Sequence, residues 1–395
     1  MSTAFAQAPP QPGRAGPTDT IPLFKVALAE DQILHEIREV LSSRQLEHGP
    51  RAQRFEAAIG ERLGNPHVVA VDSGTSALHL ALDLALREGK AAPSGAPTVL
   101  STPLTFEGTN WPVLAHGQSL GWVDVDPNTF NMDLDDLARK ITPATRVILV
   151  VHWTGYPVDL DRLARVLDEA EAKHGHRPVV IEDAAQAWGA TYRGLPLGRH
   201  GNICAFSFQT IKLLSCGGGG LVSFPTAQAS ACARQRRWLG IDRVNADRVR
   251  GDYDVAEWGY RFTMPEINAV IGTANLDIVD GLLARHRANA AFFDLALAGV
   301  PGIELTERAP DREPSFWLYP IKVENRSAFI ECMEAAGIAT SVMIRRNDAH
   351  SCVRHLRTSL PGMDAVADRM INIPVGWWLS QADREHIVHT IRQGW

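Results

Sequence analysis

The sequence predicts a large α/β fold followed by a smaller α+β region, and three observations carry that prediction. Short apolar runs alternate with amphipathic helical segments from about residue 64 to 225. Helical periodicity resumes after Pro265, and an alternating series of strands and helices closes the chain. At 395 residues the chain has the length of two domains or of one large mixed fold. The expected division is an N-terminal arm over 1–20, a large α/β domain over 21–265 and a small α+β domain over 266–395.

Taken in order, residues 1–20 are rich in Pro, Gly, Ala and Thr without a period, the composition of a flexible arm. From Ala29 to about Leu63 the spacing of Ile33, Ile37, Val40, Leu41, Phe55, Ala58 and Ile59 is helical, with a break at His48-Gly49-Pro50. HVVAVDSG, PTVLSTPL, LGWVDVD, RVILVV, PVVIEDA, CAFSF and GGLVSF then read as strands. Helical segments at Ala77–Arg87 and Asp159–Ala172 lie between some of them, the rhythm of a sheet covered on both faces. After Pro265 one helical pattern runs from Ile267 to Leu297. A strand in SFWLYPIKV, a helix over Ser327–Ala335, a strand near Ala339–Ile344 and a closing helix from Ser380 follow, the last opening SQAD in the manner of a capping box.

Composition excludes several function classes. Hydrophobic residues make up 45% and charged residues 21%, a globular balance rather than a disordered one. The formal charge of −6 supplies no field for a polyanion, so nucleic acid is not expected as a partner. Five scattered cysteines with no CxxC suggest neither a disulfide framework nor a metal site. No apolar run reaches the roughly 18 residues of a membrane span, and the N-terminus lacks a signal-peptide pattern, so the expected location is the cytoplasm.

In α/β sheets ligands gather where strands end, and Ser73, Phe106, Asp183 and Ser207 all fall at such ends. SGTSALHLAL places Gly74, Thr75 and Ser76 between a strand and a helix, where free N–H groups and hydroxyls form either a phosphate cup or a local helix cap. Asp183 ends an apolar strand, and a carboxylate at that depth requires a cation or hydrogen-bond donors, with Glu182 pointing the other way. Lys212, flanked by Ile211 and Leu213, is placed for a partly apolar pocket in which desolvation would free its amine as a nucleophile; a surface lysine is the alternative. The run SCGGGG follows Lys212 instead of preceding it, so it is no Walker motif and reads as a tight turn or an anion loop. Together, a phosphate cup, an aromatic ring at Phe106, a buried carboxylate and a nucleophilic lysine are the parts needed to hold pyridoxal 5′-phosphate (PLP).

The sequence also resembles the DegT/DnrJ/EryC1/StrS sugar aminotransferases. The resemblance spans roughly residues 21 to 395 and rests on FEAAIGERLG (55–64), SGTSALHLAL (73–82), PLTFEGTN (103–110), IEDAAQAWGATYRG (181–194), FSFQTIKLLSCGGGGLV (206–222) and GYRFTMPEINAVIG (259–272), in the family's order. It implies the aspartate aminotransferase-like fold of PLP-dependent transferases, fold type I. It further implies that Lys212 binds the cofactor's aldehyde and Asp183 pairs with the ring nitrogen. Gln186 would sit near the ring hydroxyl, Phe106 on the ring face, and Gly74, Thr75, Ser76 and Ser207 around the phosphate. The family is typically homodimeric, and Thr263 stands where many relatives carry Asn to reach the neighbour's site. A related branch that removes a sugar hydroxyl has histidine in place of the lysine, so Lys212 points to complete transamination.

The implied reaction takes an amino group from glutamate or glutamine to a keto sugar, the usual acceptor being a nucleotide-linked 4-keto-6-deoxyhexose. A keto-cyclitol acceptor and a non-catalytic role for the same fold are the alternatives. Arg345, Arg346 and His350 are candidates for the substrate or for a solvated turn. Trp377 and Trp378 would line the sugar pocket or seal a core, and His152 and Trp153 would face the cleft or the core.

Overall fold

The structure is a computed structural model that describes residues 20–87, 98–242 and 254–395. The expected arm, apart from Thr20, lies outside them.

Helices α1 (Glu30–Ser43) and α2 (Pro50–Leu63) precede the first strand, β1 (Val68–Val71). Helix α3 (Gly74–Arg87), β2 (Val99–Ser101), α4 (Glu107–Ala115), β3 (Leu120–Trp122), α5 (Leu134–Lys140), β4 (Val147–Val151), α6 (Leu160–His174) and β5 (Val179–Asp183) continue the alternation. Asp133 and Asp159 cap α5 and α6 by accepting backbone N–H groups of the first turn, and α6 stops at Gly175 in the left-handed conformation. Two short strands, β6 (Thr191–Tyr192) and β7 (Leu195–Pro196), form a hairpin, and β8 (Ile203–Ser207) and β9 (Gly220–Ser223) complete the main sheet.

That sheet has the order β1-β9-β8-β5-β4-β2-β3. Strand β9 runs antiparallel to both neighbours, and every other pairing is parallel. Alternate residues of each strand belong to different cores, as the period of two requires. Val68, Ala70, Ile148, Val150, Val180 and Phe206 pack with α2, α5 and α6, while Val69, Val71, Val147, Leu149, Ile181 and Ala205 pack with α3. Both faces are therefore covered, and strands of unbroken apolar sequence result.

Helix α7 (Ala227–Arg237) follows the sheet. The single helical pattern expected from Ile267 to Leu297 is instead two helices, α8 (Glu266–Leu276) and α9 (Val279–Leu297), bent by 59°. Apolar residues continue through the bend because Leu276 and Val279 still pack on the large core, while Phe293 and Leu297 reach a second one. That second core belongs to an antiparallel sheet of β10 (Ile303–Leu305), β12 (Tyr319–Val323) and β13 (Met370–Ile373). Strand β11 (Arg312–Glu313) joins the β6–β7 hairpin. Helices α10 (Arg326–Ala335), α11 (Pro361–Ala367) and α12 (Gln381–Gln393) complete the chain, and Ser380 and Asp383 form the capping box at the start of α12. The strand expected near Ala339–Ile344 is absent: Ser341 makes one bridge to Asn372, and Met343, at φ +61°, breaks the extended run.

Glu266 ties α8 to α2 across more than 200 residues of sequence. Its buried carboxylate accepts the N–H groups of Gly49 (2.9 Å), Arg51 (3.0 Å) and Ala52 (2.9 Å), which α2 cannot satisfy internally. Gly49 has no side chain to cap α2 itself. Glu266→Ala is expected to cost about 3 kcal/mol by orphaning these donors, read as a lower urea midpoint, whereas an unchanged midpoint would show that the cap carries no weight.

Candidate active site

The C-terminal ends of β1, β2, β5 and β8 open on one side of the sheet, and there the chain encloses a cavity of about 290 Å³. Gly74, Thr75, Phe106, Asp183, Gln186, Ser207 and Lys212 all line it. Segments separated by up to 138 positions, from Gly74 to Lys212, thus converge as the strand-end rule predicts.

Helix α3 points its first turn at the cavity. The leading N–H groups of an α-helix have no acceptor within the helix, and here Gly74 and Thr75 supply them beside the Ser207 hydroxyl. A Cβ on Gly74 would lie 2.6 Å from that of Ser207, so only glycine lets the two strand ends approach and form a cup. Gly220 solves the same problem for β9, where any Cβ would strike the Ser73 carbonyl. The glycine run is therefore the close-packed turn that threads an antiparallel strand between β1 and β8, and its Gly218 and Gly219 also line the cavity.

Asp183 is 4% exposed. Its Oδ2 accepts the Thr109 hydroxyl at 2.6 Å and its Oδ1 accepts the Ala185 N–H at 2.9 Å. Since Thr109 donates to the carboxylate, the 2.7 Å contact between Thr105 and Thr109 has Thr105 as donor. Burial pushes the Asp183 carboxyl above its ordinary range, against the pull of these donors and of the Lys212 charge. Glu182 faces the other way, as expected: it accepts from His152 at 2.8 Å and Asn202 at 2.7 Å.

Burial also brings Lys212 down to about 8, with the Asp183 charge opposing it. Its Nζ lies 3.7 Å from the centroid of the Trp317 ring. Gln186 turns its Oε1 to the Thr154 N–H at 2.7 Å, which leaves its NH2 as the group available to the cavity. Phe106 stands at the rim with 51% of its surface open, enough to cover a planar ligand.

Other expected residues lie elsewhere. Ser76 is buried and takes a hydrogen bond from the Ser73 hydroxyl at 2.9 Å, so it braces the cup without lining it. Thr263 bridges to Val71 and stays outside this chain's cavity. His152 is 0% exposed and Trp153 is buried in the core, which decides both for the structural role. Arg346 spends its fork on Asp348, at 2.7 Å to each oxygen, and on Asp364; Arg345 is exposed and donates to the Ala349 carbonyl. His350 contacts Glu107 at 3.1 Å. The Trp377 and Trp378 indoles donate to the carbonyls of Lys25 and Pro22, so the pair straps down the N-terminal segment. Thr109, Trp317, Met343 and Ile344 line the cavity without having been singled out. Thr109 had a signal in its position one helical turn past Phe106, whereas the other three belong to a distant region with no polar signature.

A family model for the DegT/DnrJ/EryC1/StrS aminotransferases matches residues 28–392. The chain belongs to the DegT/DnrJ/EryC1/StrS family. It is 60% identical to the sugar aminotransferase CalS13 of Micromonospora echinospora, with a TM-score of 0.91 over 95% of this chain and 100% of that one. AtS13 of Actinomadura melliaura is also 60% identical, with a TM-score of 0.91 over 96% of this chain and 100% of that one. The PLP form of Spr1654 from Streptococcus pneumoniae, described as a sugar aminotransferase, is 25% identical with a TM-score of 0.85, covering 95% and 98%. The family member described here is thus a PLP-dependent sugar aminotransferase of fold type I. Its own residues fit the cofactor: an anion cup too tight for a Cβ, a buried carboxylate with room for one more donor, and a lysine in the same cavity.

The pH dependence follows from Asp183. Because its folded pKa is raised, the apoprotein gains from the protonated carboxyl at acid pH and loses that gain as pH rises through the raised pKa. Where Asp183 pairs with a cofactor's ring nitrogen, cofactor binding would have the opposite sense, since only the carboxylate can hold a protonated nitrogen. Thr109→Val removes a donor to the charged form, so PLP affinity is expected to fall about tenfold at neutral pH and further on acidification. Equilibrium dialysis across pH checks this, and an affinity equal to wild type throughout would contradict it.

Proposed function

We propose that this enzyme moves the amino group of glutamate or glutamine to a nucleotide-linked 4-keto-6-deoxyhexose, with Lys212 and Asp183 as the catalytic pair. The observation that carries the reading is their convergence on one cavity whose wall also holds an anion cup. When bound, PLP supplies an aldehyde that captures amines and a ring that takes up the electron pair left by a departing proton.

The remaining chemistry belongs to the chain. The first turn of α3, with the hydroxyls of Thr75 and Ser207, would hold the phosphate. Asp183 would keep the proton on the ring nitrogen, its own charge maintained by Thr109 and Ala185. Phe106 would cover one ring face, and the NH2 of Gln186 would donate to the ring hydroxyl. Lys212 Nζ would take the proton from the carbon that bears the donor's amine in the first half-reaction and would deliver a proton to the acceptor's carbon in the second. A pKa of about 8 keeps both its forms within reach at neutral pH.

The nucleotide-linked acceptor is supported by the family's usual acceptors and by Arg345, exposed one residue beyond Ile344 of the cavity wall. A homodimer is supported by the exposed apolar side chains of Leu239, Val255 and Trp258, the last 63% exposed, all preceding Thr263 in sequence. Across such an interface Thr263 would meet the neighbouring phosphate. The seven-stranded sheet and the β10-β12-β13 sheet, each with a core of its own, support a large domain, expected over 21–265, and a small one, expected over 266–395, although α8 packs on the large core. Five unpaired cysteines suit the cytoplasm, and among the described residues no single helix is long and apolar enough to cross a membrane.

Addition of glutamate to the PLP-loaded enzyme is expected to replace the visible absorption band with the near-ultraviolet band of the aminated cofactor. Lys212→Ala should abolish turnover by at least about 10³-fold. Nucleotide-linked and free keto sugars tested on the aminated form decide the acceptor. An unchanged wild-type spectrum with glutamate and with glutamine would sink the donor assignment, and turnover of free sugars alone would sink the nucleotide linkage. Sedimentation at a single 43.2 kDa chain mass would sink the dimer.

A further inference from the structure

We propose that Trp317 is a positioning residue for Lys212: its indole face is the platform on which the ammonium rests whenever the amine is not bonded to the cofactor. This rests on the reading of Lys212 as the residue that moves the proton, and it adds a residue from the far side of the chain. The Nζ of Lys212 stands 3.7 Å from the ring centroid, inside the range in which a cation is drawn to the negative face of an indole.

The ring is held for that purpose from three directions. Its Nε1–H donates at 2.8 Å to the carbonyl of Ile211, the residue before Lys212, so platform and lysine share one anchor. Phe24 packs against it at 5.4 Å between centroids, with Leu23 and Leu318 in the same cluster. Phe24 is itself part of the N-terminal segment that Trp377 and Trp378 strap down through Pro22 and Lys25. The third hold is on the backbone. Phe316 takes φ +50°, a left-handed conformation that is costly for a bulky side chain. It is kept there by His286 Nδ1–H, which donates to the Phe316 carbonyl at 2.8 Å, and by Ser315, whose N–H donates to Gly155 at 3.0 Å and whose hydroxyl donates to the Gln186 carbonyl at 3.2 Å. The strained residue turns the chain so that Trp317 faces Lys212.

An apolar pocket by itself favours the neutral amine. The charged and titratable groups around Lys212 are few. Asp183 attracts the ammonium across the cavity, and Asp72, just before α3, is a second carboxylate in the same cavity wall. Lys25 and His286 line, together with Lys212 and Trp317, a second small void of about 20 Å³; Lys25 lies over the Trp377 ring, and burial holds His286 down to about 4, so it is uncharged near neutral pH. The indole face therefore works with Asp183 to retain the ammonium near neutrality, and it does so without tying up the proton in a hydrogen bond. It also keeps Nζ on the cavity side, ready to act.

The test uses the apoprotein, which separates it from the transamination reading. An amine-directed reagent is applied over a pH series, and modification of Lys212 is followed by peptide mapping to give its apparent pKa. Trp317→Leu is expected to lower that pKa by about one pH unit, and Trp317→Phe, whose ring attracts cations less, by about half as much. Should the leucine variant fail to fold, the sign in the phenylalanine variant decides. An unchanged pKa, or a rise caused by water entering the pocket, would overturn the proposal. Such a result would leave wild-type transamination with glutamate untouched, whereas failure of that half-reaction would strike the functional reading and not this one.

Discussion

A carboxylate at the end of a buried parallel strand is the constraint on which the site depends. Asp183 is carried into the interior by β5, whose neighbours β4 and β8 cover it on both edges. An isolated charge there would be expensive, and the fold offsets the cost only in part, with one hydroxyl and one backbone N–H. The remainder has to come from a cation. Lys212 supplies a distant one, and a protonated ring nitrogen would supply the matching one. On the proposed assignment, the affinity for a pyridinium cofactor would be built into the folding problem itself.

Sheet topology brings the other parts to the same place. In a parallel arrangement all strands end on one side, so residues after β1, β2, β5 and β8 meet although they are far apart in sequence. The one antiparallel strand, β9, has to begin where β1 and β8 end, and the glycine run makes that entry possible. The lysine loop lies between β8 and β9, so the same crossing that needs the glycines also fixes Lys212 at the mouth of the cup. The C-terminal region then closes the cavity with Trp317, Met343 and Ile344, and Asn347 locks it to the loop after β2 by accepting from Asn110 and donating to the Thr105 carbonyl.

The alternation of strands and helices was legible because buried parallel strands are continuous apolar runs, and Gly74, Thr75, Phe106, Asp183, Gln186, Ser207 and Lys212 line one cavity at the strand ends. What periodicity could not see was the bend between α8 and α9, since both sides of it are apolar for different cores. It likewise promised a strand near Ala339–Ile344 where Met343 adopts a left-handed backbone instead. Trp317 was invisible for another reason: in SFWLYPIKV it reads as an ordinary core aromatic, and only the fold sets its ring against Lys212. For Trp377 and Trp378 the sequence offers a sugar pocket or a core, and the structure sets Trp378 against the core of the small sheet while both indoles donate to the N-terminal segment.

On the proposed assignment Asp183 and Lys212 hold one cofactor between them. A crystal structure of the protein grown with PLP tests it most directly. Continuous density is expected from Lys212 Nζ to the cofactor, with the ring nitrogen within about 3 Å of an Asp183 oxygen and the phosphate on the first turn of α3. A cofactor bound through another lysine, or a ring whose nitrogen points away from Asp183, would contradict it.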